Sequence, residues 1–173
     1  RSENMLAMGH GRAMVLSGKM GFDSDGKIVG FEAEAIADAG SYPGIGGFLS
    51  FYTQLMIQGV YDIPKIKYHA LSVATNTTST VAYRGAGRPE ATQILERIID
   101  VAANELDIDP AELRRKNLLQ PDSFPLTTLG GSNYDSGNYG LALDQALEKS
   151  GYNALLQEQA ERRSQGATRQ LGI

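Results

Sequence analysis

The sequence predicts an α+β fold, on three observations. Strand-like alternation fills the first forty residues, helical periodicity dominates after residue 88, and glycine-rich bends separate the two. Strands first and helices later point to an N-terminal β-hairpin in a mixed sheet followed by helices, not to a βαβ repeat. The 173 residues suffice for one domain with a core of its own, and 42% hydrophobic with 21% charged residues is a globular balance.

Taken in order, residues 11–22 and 27–39 form the expected hairpin. Met14, Leu16, Met20 and Phe22 alternate on one side, and Phe31, Ala33, Ala35 and Ala37 alternate on the return strand. Asp23-Ser24-Asp25-Gly26-Lys27 is the turn; as a calcium loop it fails, because Lys27 and Ile28 stand where a ligand and a glycine are needed. Asp38 to Gly47 is a glycine-rich bend, read either as a plain loop or as the lining of a cavity. Phe48, Leu49, Tyr52, Leu55, Met56 and Gly59 recur at helical spacing over 48–60 and are expected in the core.

Asp62-Ile63-Pro64 breaks the chain, 65–75 alternates as a strand, and 76–80 is a polar connector leading into a β-like run. From Pro89 to Leu106 runs the strongest helical pattern. Asp109-Pro110-Ala111-Glu112 caps a short helix to Asn117, a long loop covers 118–137, and helices are expected at 138–149 and 152–164. The chain opens on Arg1-Ser2-Glu3 and closes on a strand-like Gly172-Ile173, so it reads as a piece of a longer polypeptide.

Composition removes several functions. Without cysteine there is no disulfide, thiolate zinc site, iron–sulfur ligation or cysteine nucleophile. A net charge of −4 argues against nucleic-acid binding. No apolar run approaches the ~20 residues that span a bilayer, and no basic-then-apolar signal segment opens the chain. The lack of cysteine is neutral about compartment, and the cytoplasm is the default expectation. His10 and His69 are isolated, Glu32, Glu34 and Asp38 read as a solvated sheet face, and Glu96, Arg97 and Asp100 as the polar side of the long helix. Arg114-Arg115-Lys116 and Arg162-Arg163 read as complements to helix dipoles.

One segment stands out: Ala82-Tyr83-Arg84-Gly85-Ala86-Gly87-Arg88-Pro89-Glu90-Ala91. Its glycines allow close approach of the backbone to another group, and Pro89 suits a first helical turn. Free first-turn N–H groups, the helix dipole, Arg84 and Arg88 would favour an oxygen-rich ligand. The same residues also read as a capped turn with no ligand. A dinucleotide fingerprint fits poorly, because its third glycine falls on Glu90 and the acidic residue about twenty positions on is missing from a second strand.

This segment resembles the active-site loop of the molybdenum hydroxylase large subunits, the family of xanthine dehydrogenases, aldehyde oxidases and carbon monoxide dehydrogenases. Its spelling is similar to the form II, carbon-monoxide-dehydrogenase-like branch. Asp38 to Tyr42, Tyr61-Asp62-Ile63-Pro64, Leu113 to Asn117 and Tyr134 to Tyr139 resemble further family motifs in the same order. The resemblance implies that residues 1–173 belong to the first molybdenum-cofactor-binding domain of a large subunit. It implies a molybdenum–molybdopterin cofactor, in the cytosine dinucleotide form, held near Arg84, Gly85, Ala86 and Gly87. It further implies oxidation with water as the oxygen source, electrons passing to a [2Fe-2S] small subunit and an FAD-binding medium subunit, and a dimer of large subunits.

Departures from the family narrow the substrate. Copper-dependent members carry a cysteine after this arginine, where Gly85 stands here, so no copper is expected. Purine-oxidising members carry a phenylalanine at the Ala86 position and a substrate-holding arginine at the position matching Tyr52, thirty-two residues before Arg84. An aldehyde or a neutral N-heterocycle is therefore expected, in a cavity touched by Tyr52 and Ala86; Tyr52 reads either as cavity wall or as a hydrogen-bonding contact. The family's catalytic base and its other glycine-rich cofactor segment have no match in this stretch, so no catalytic residue is assigned. Two other classes stay open: a non-enzymatic binding or assembly module that keeps the fold, and an anion- or nucleotide-binding domain using the Gly85–Pro89 loop alone.

Overall fold

The computed structural model describes residues 2–173, which fall into two compact units, residues up to Gly137 and Asn138–Ile173. In the first unit a short helix α1 (Ser2–Ala7), which sequence periodicity had not signalled, leads to β1 (Met14–Phe22) and β2 (Ile28–Gly40). Helix α2 (Leu49–Met56), β3 (Ile66–Ala74), α3 (Arg88–Leu106) and α4 (Pro110–Asn117) follow. The sheet order is β1-β2-β3, with β1 antiparallel and β3 parallel to the central β2. The fold is thus the expected α+β arrangement with a mixed sheet.

The hairpin closes as its residues dictate. Asp23 Oδ1 accepts the N–H groups of Asp25 and Lys27, both at 2.9 Å, and Gly26 takes the positive φ of 80° that the turn requires. Phe31, Ala33, Ala35 and Ala37 of β2 are all buried, and the small alanines let helices lie close against the strand. Against that face pack α2, over β2 and β3, and α3, over β1.

Helix α4 is tied back to the hairpin by its last residue. Asn117, 2% exposed, accepts the Ile28 N–H at 2.8 Å and donates to the carbonyls of Gly26 and Leu113 at 2.8 and 2.9 Å. Both amide hydrogens and the carbonyl oxygen of this buried side chain thereby have partners. Asp109 caps the start of α4 by accepting from Ala111 and Glu112.

Four expectations need correction. The buried face of α2 is Leu49, Ser50 and Thr53, continued by Ile57, whereas Phe48 is 64% exposed and Tyr52 is 38% exposed. Thr53 is accommodated inside because its hydroxyl donates to the Leu49 carbonyl one turn back. The run before Ala82 forms no strand: a single bridge joins His10 and Thr80, since the chain turns away toward α3. The 118–137 stretch contains a small antiparallel ladder, β4 (Leu126–Thr127) with β5 (Asn133–Tyr134), which two-residue strands cannot announce by periodicity. Gly172-Ile173 is not a strand.

In the second unit α5 (Tyr139–Ser150) starts on Asn138, whose side chain accepts the Leu141 N–H, and ends at Gly151 with φ 67°. Helix α6 (Tyr152–Ser164) follows directly. Neither helix buries a residue. Among the described residues no helix is long and apolar enough to cross a membrane.

Candidate functional site

The segment singled out by sequence is a turn, residues 84–87, that feeds the N-terminus of α3. Gly85 and Gly87 both hold positive φ, 84° and 89°, conformations that residues with a side chain rarely adopt. The turn is closed from within: the Ala86 N–H donates to the Tyr83 carbonyl at 2.9 Å, and the Arg88 N–H to the Gly85 carbonyl at 2.8 Å. Glu90, buried within the first turn of α3, accepts the Gly87 N–H at 2.9 Å.

That closure corrects one expectation. The N–H groups of Gly87 and Arg88 are occupied by the protein itself, so the helix end is not a set of free donors for an anion. The Gly85 N–H, by contrast, has no hydrogen-bond partner among the described residues.

The two glycines also serve different ends. A Cβ on Gly87 would fall 2.3 Å from the backbone of Tyr52, so this glycine exists to let α2 approach the turn rather than to admit a ligand. A Cβ on Gly85 would meet only the Pro89 ring, at 3.6 Å, so the space there is open. The contact at Gly87 places the backbone of Tyr52 beside the turn. Tyr52 is partly exposed, its ring tilted against Phe51 at a centroid distance of 6.1 Å.

Two residues that sequence reasoning missed hold the turn. Arg12, just ahead of β1, donates to the Arg84 carbonyl at 2.6 Å and to Glu90 Oε1 at 3.0 Å, and its guanidinium lies 5.2 Å from the centre of the Tyr83 ring. The one sequence signal was Glu90 at the third position of the helix, where a carboxylate closes a cap. Arg12 itself, seventy-eight positions from Glu90, gave none.

Elsewhere the charged groups tie elements together. Glu32 pairs with Lys67 at 2.7 Å, and Glu34 lies 3.4 Å from His69, both on the exposed sheet face. Asp38 accepts from Thr75, Thr77 and Gly40, and these hydrogen bonds, that of Thr75 foremost, hold its carboxyl below the usual range. Glu96 and Asp100, expected simply as the polar side of the long helix, bind Arg114 of α4, each at 2.8 Å. Glu96 also accepts from the buried Tyr61 hydroxyl at 2.8 Å; burial first, then the Glu96 charge, pushes the Tyr61 phenol up. Arg114 is therefore a cross-helix tie and not simply a dipole complement.

A groove of about 420 Å³ between β1 and α3, lined by Met14, Leu16, Ile94, Arg97 and Val101, contains none of the turn residues. No group of three or more His, Cys, Asp or Glu among the described residues could hold a metal ion. What the turn offers is backbone donors and open space.

Residues 1–118 match the molybdopterin cofactor-binding domain family. The chain is 37% identical over 168 residues to the carbon monoxide dehydrogenase large chain of Hydrogenophaga pseudoflava, covering 95% of this chain and 21% of that one. Its fold is similar to the crystal structure of quinoline 2-oxidoreductase from Pseudomonas putida 86, with a TM-score of 0.87 and 32% identity over 95% of this chain and 21% of that one. It is also similar to a Cu,Mo-CO dehydrogenase in its carbon monoxide reduced state, with a TM-score of 0.85 and 33% identity, covering 97% and 22% of the two chains. The chain spans about a fifth of the length of these proteins. The turn at the head of α3, the sheet beneath it and the family match over residues 1–118 together make this chain a member of the molybdopterin cofactor-binding domain family.

Proposed function

We propose that residues 1–173 are part of the first cofactor-binding domain of a molybdenum hydroxylase large subunit, and that the turn Arg84, Gly85, Ala86 and Gly87 lines the cofactor. The observation that carries this reading is the Gly85 N–H, without a hydrogen-bond partner among the described residues, at a glycine with open space where a Cβ would sit. Such a donor fits a group that brings its own metal ligands and asks the protein for hydrogen bonds. When bound, the molybdenum–molybdopterin cofactor, in the cytosine dinucleotide form, supplies an oxidising centre that uses an oxygen from water.

This chain's residues have narrower tasks. Gly85 donates, Gly87 admits α2, and Tyr52 and Ala86 form one wall of the substrate cavity. Ala86 is too small to stack on a ring and Tyr52 carries no charge, which favours an aldehyde or a neutral N-heterocycle over a charged purine. The likeness to a quinoline oxidoreductase supports the heterocycle. Electrons pass to a [2Fe-2S] small subunit and an FAD-binding medium subunit, and the large subunits form a dimer in the cytoplasm. Copper is absent on this reading, because Gly85 follows Arg84 and the chain has no cysteine; the likeness to a Cu,Mo enzyme weighs against that part.

Elemental analysis of the protein purified with its partner subunits is the test. Stoichiometric molybdenum without copper is the expected result. Copper alongside molybdenum would overturn the copper statement alone. No molybdenum, from cells that load other molybdenum enzymes, would overturn the enzyme reading in favour of a binding or assembly module.

A further inference from the structure

The conformation of the Arg84–Gly87 turn is held by a residue that lies seventy-two positions away in the chain. Arg12 has a backbone φ of 67°, a region that favours glycine and that an arginine occupies only when its surroundings compel it. From there its guanidinium fork engages two acceptors at once, the Arg84 carbonyl through Nη2 and Glu90 Oε1 through Nη1, while the Tyr83 ring lies against it. The second oxygen of Glu90 takes the Gly87 N–H. One arginine–glutamate pair thus holds a carbonyl near the start of the turn and an N–H at its end.

The consequence follows from peptide geometry. In a trans peptide the carbonyl and the following N–H point to opposite sides. With the Arg84 carbonyl bound to Arg12, the Gly85 N–H faces away from Arg12. Gly85 has the φ freedom to let this peptide rotate, so without the clamp the donor direction is not fixed. An ordinary ion pair would need only one carboxylate oxygen and no backbone partner. Here both oxygens of Glu90 and both terminal nitrogens of Arg12 are engaged, and each residue ends on a backbone group of the turn.

We infer that Arg12 and Glu90 are positioning residues that aim the Gly85 N–H at the cofactor, an inference that rests on the reading of this turn as the cofactor's seat. Neither side chain needs to touch the cofactor. The fork is essential: a lysine at position 12 keeps the charge but cannot hold the Arg84 carbonyl and Glu90 in one rigid geometry.

The test uses the intact holoenzyme with Arg12→Lys, Arg12→Met and Glu90→Gln, and Arg114→Lys as a control in the charged network outside the turn. For R12K we expect molybdenum content and thermal midpoint near wild type, kcat lower by about tenfold with KM unchanged, and a shifted electron paramagnetic resonance spectrum of the reduced molybdenum. R12M and E90Q shift the same readouts further in the same direction, and R114K leaves kcat and spectrum unchanged. An R12K enzyme with wild-type kcat and spectrum overturns the inference even where R12M does not accumulate, and so does an R114K enzyme that reproduces the R12K effects. A wild-type protein without molybdenum overturns the cofactor reading and this inference with it, whereas an unchanged R12K spectrum overturns the inference alone.

Discussion

Helix α3 carries an arginine–carboxylate network at its N-terminal turn and another farther along its length. At the first, Arg12 and Glu90 end on backbone groups, the Arg84 carbonyl and the Gly87 N–H. At the second, Arg114 pairs with the side chains of Glu96 and Asp100 and meets the backbone only at carbonyls of α3 and of the start of α4, those of Glu96 and Pro110, and Glu96 holds the Tyr61 hydroxyl. The chemistry is the same and the effect is not. A charged pair that ends on backbone dictates the conformation of a turn, whereas one that ends on side chains fixes how two helices sit against each other. The first is therefore expected to govern the geometry of a site, and the second to govern stability.

The sharpest way to break this comparison is Gly87→Ala. The new methyl meets the Tyr52 backbone at 2.3 Å on a residue with φ 89°, so neither the backbone nor the neighbour yields cheaply. A loss of about 4 kcal/mol is expected, read as a lower urea midpoint. Gly85→Ala shares the strained φ but meets only the Pro89 ring at 3.6 Å, and should lose about 1 kcal/mol. Equal losses in the two variants would mean that φ alone, and not the approach of α2, selects glycine at position 87.

These two glycines mark where sequence reading succeeded and where it stopped. The hairpin, α3, α4 and the last two helices were legible because alternation, caps and glycine stops are local signals, as at Asp109 and Gly151. The turn itself was legible from its glycines, but the reason for Gly87 was not, because Tyr52 comes from a distant helix. The buried side of α2 was misread because Thr53 satisfies its own hydroxyl and so occupies a core position that apolar periodicity assigns to Tyr52 or Leu55. Arg12 was invisible, since a positive φ at an arginine and a partner seventy-eight residues away leave no pattern.

The next largest effect belongs to the second network. Arg114→Met removes the partner of Glu96 and Asp100 while keeping most of the side-chain volume. Because these carboxylates are partly exposed, the expected loss is about 2 kcal/mol, less than for a fully buried pair. Molybdenum content and kcat of the holoenzyme should stay at wild-type values. A kcat that falls in step with the Arg12 variants would erase the distinction between the two networks.

Tyr61→Phe gives the smallest change at neutral pH and the most specific signature. It removes one hydrogen bond to a carboxylate that Arg114 still holds, for a loss of about 1 kcal/mol. In the folded protein, burial and the Glu96 charge keep the phenol protonated well above its ordinary value of 10, whereas the unfolded chain releases that proton near 10. Above pH 10 the unfolded state then binds fewer protons than the folded one, so stability falls as pH rises. Urea midpoints measured across the alkaline range should decline for wild type and decline less steeply for Y61F. The same alkaline slope in both would place the proton elsewhere and leave Glu96 and Tyr61 as a neutral tie.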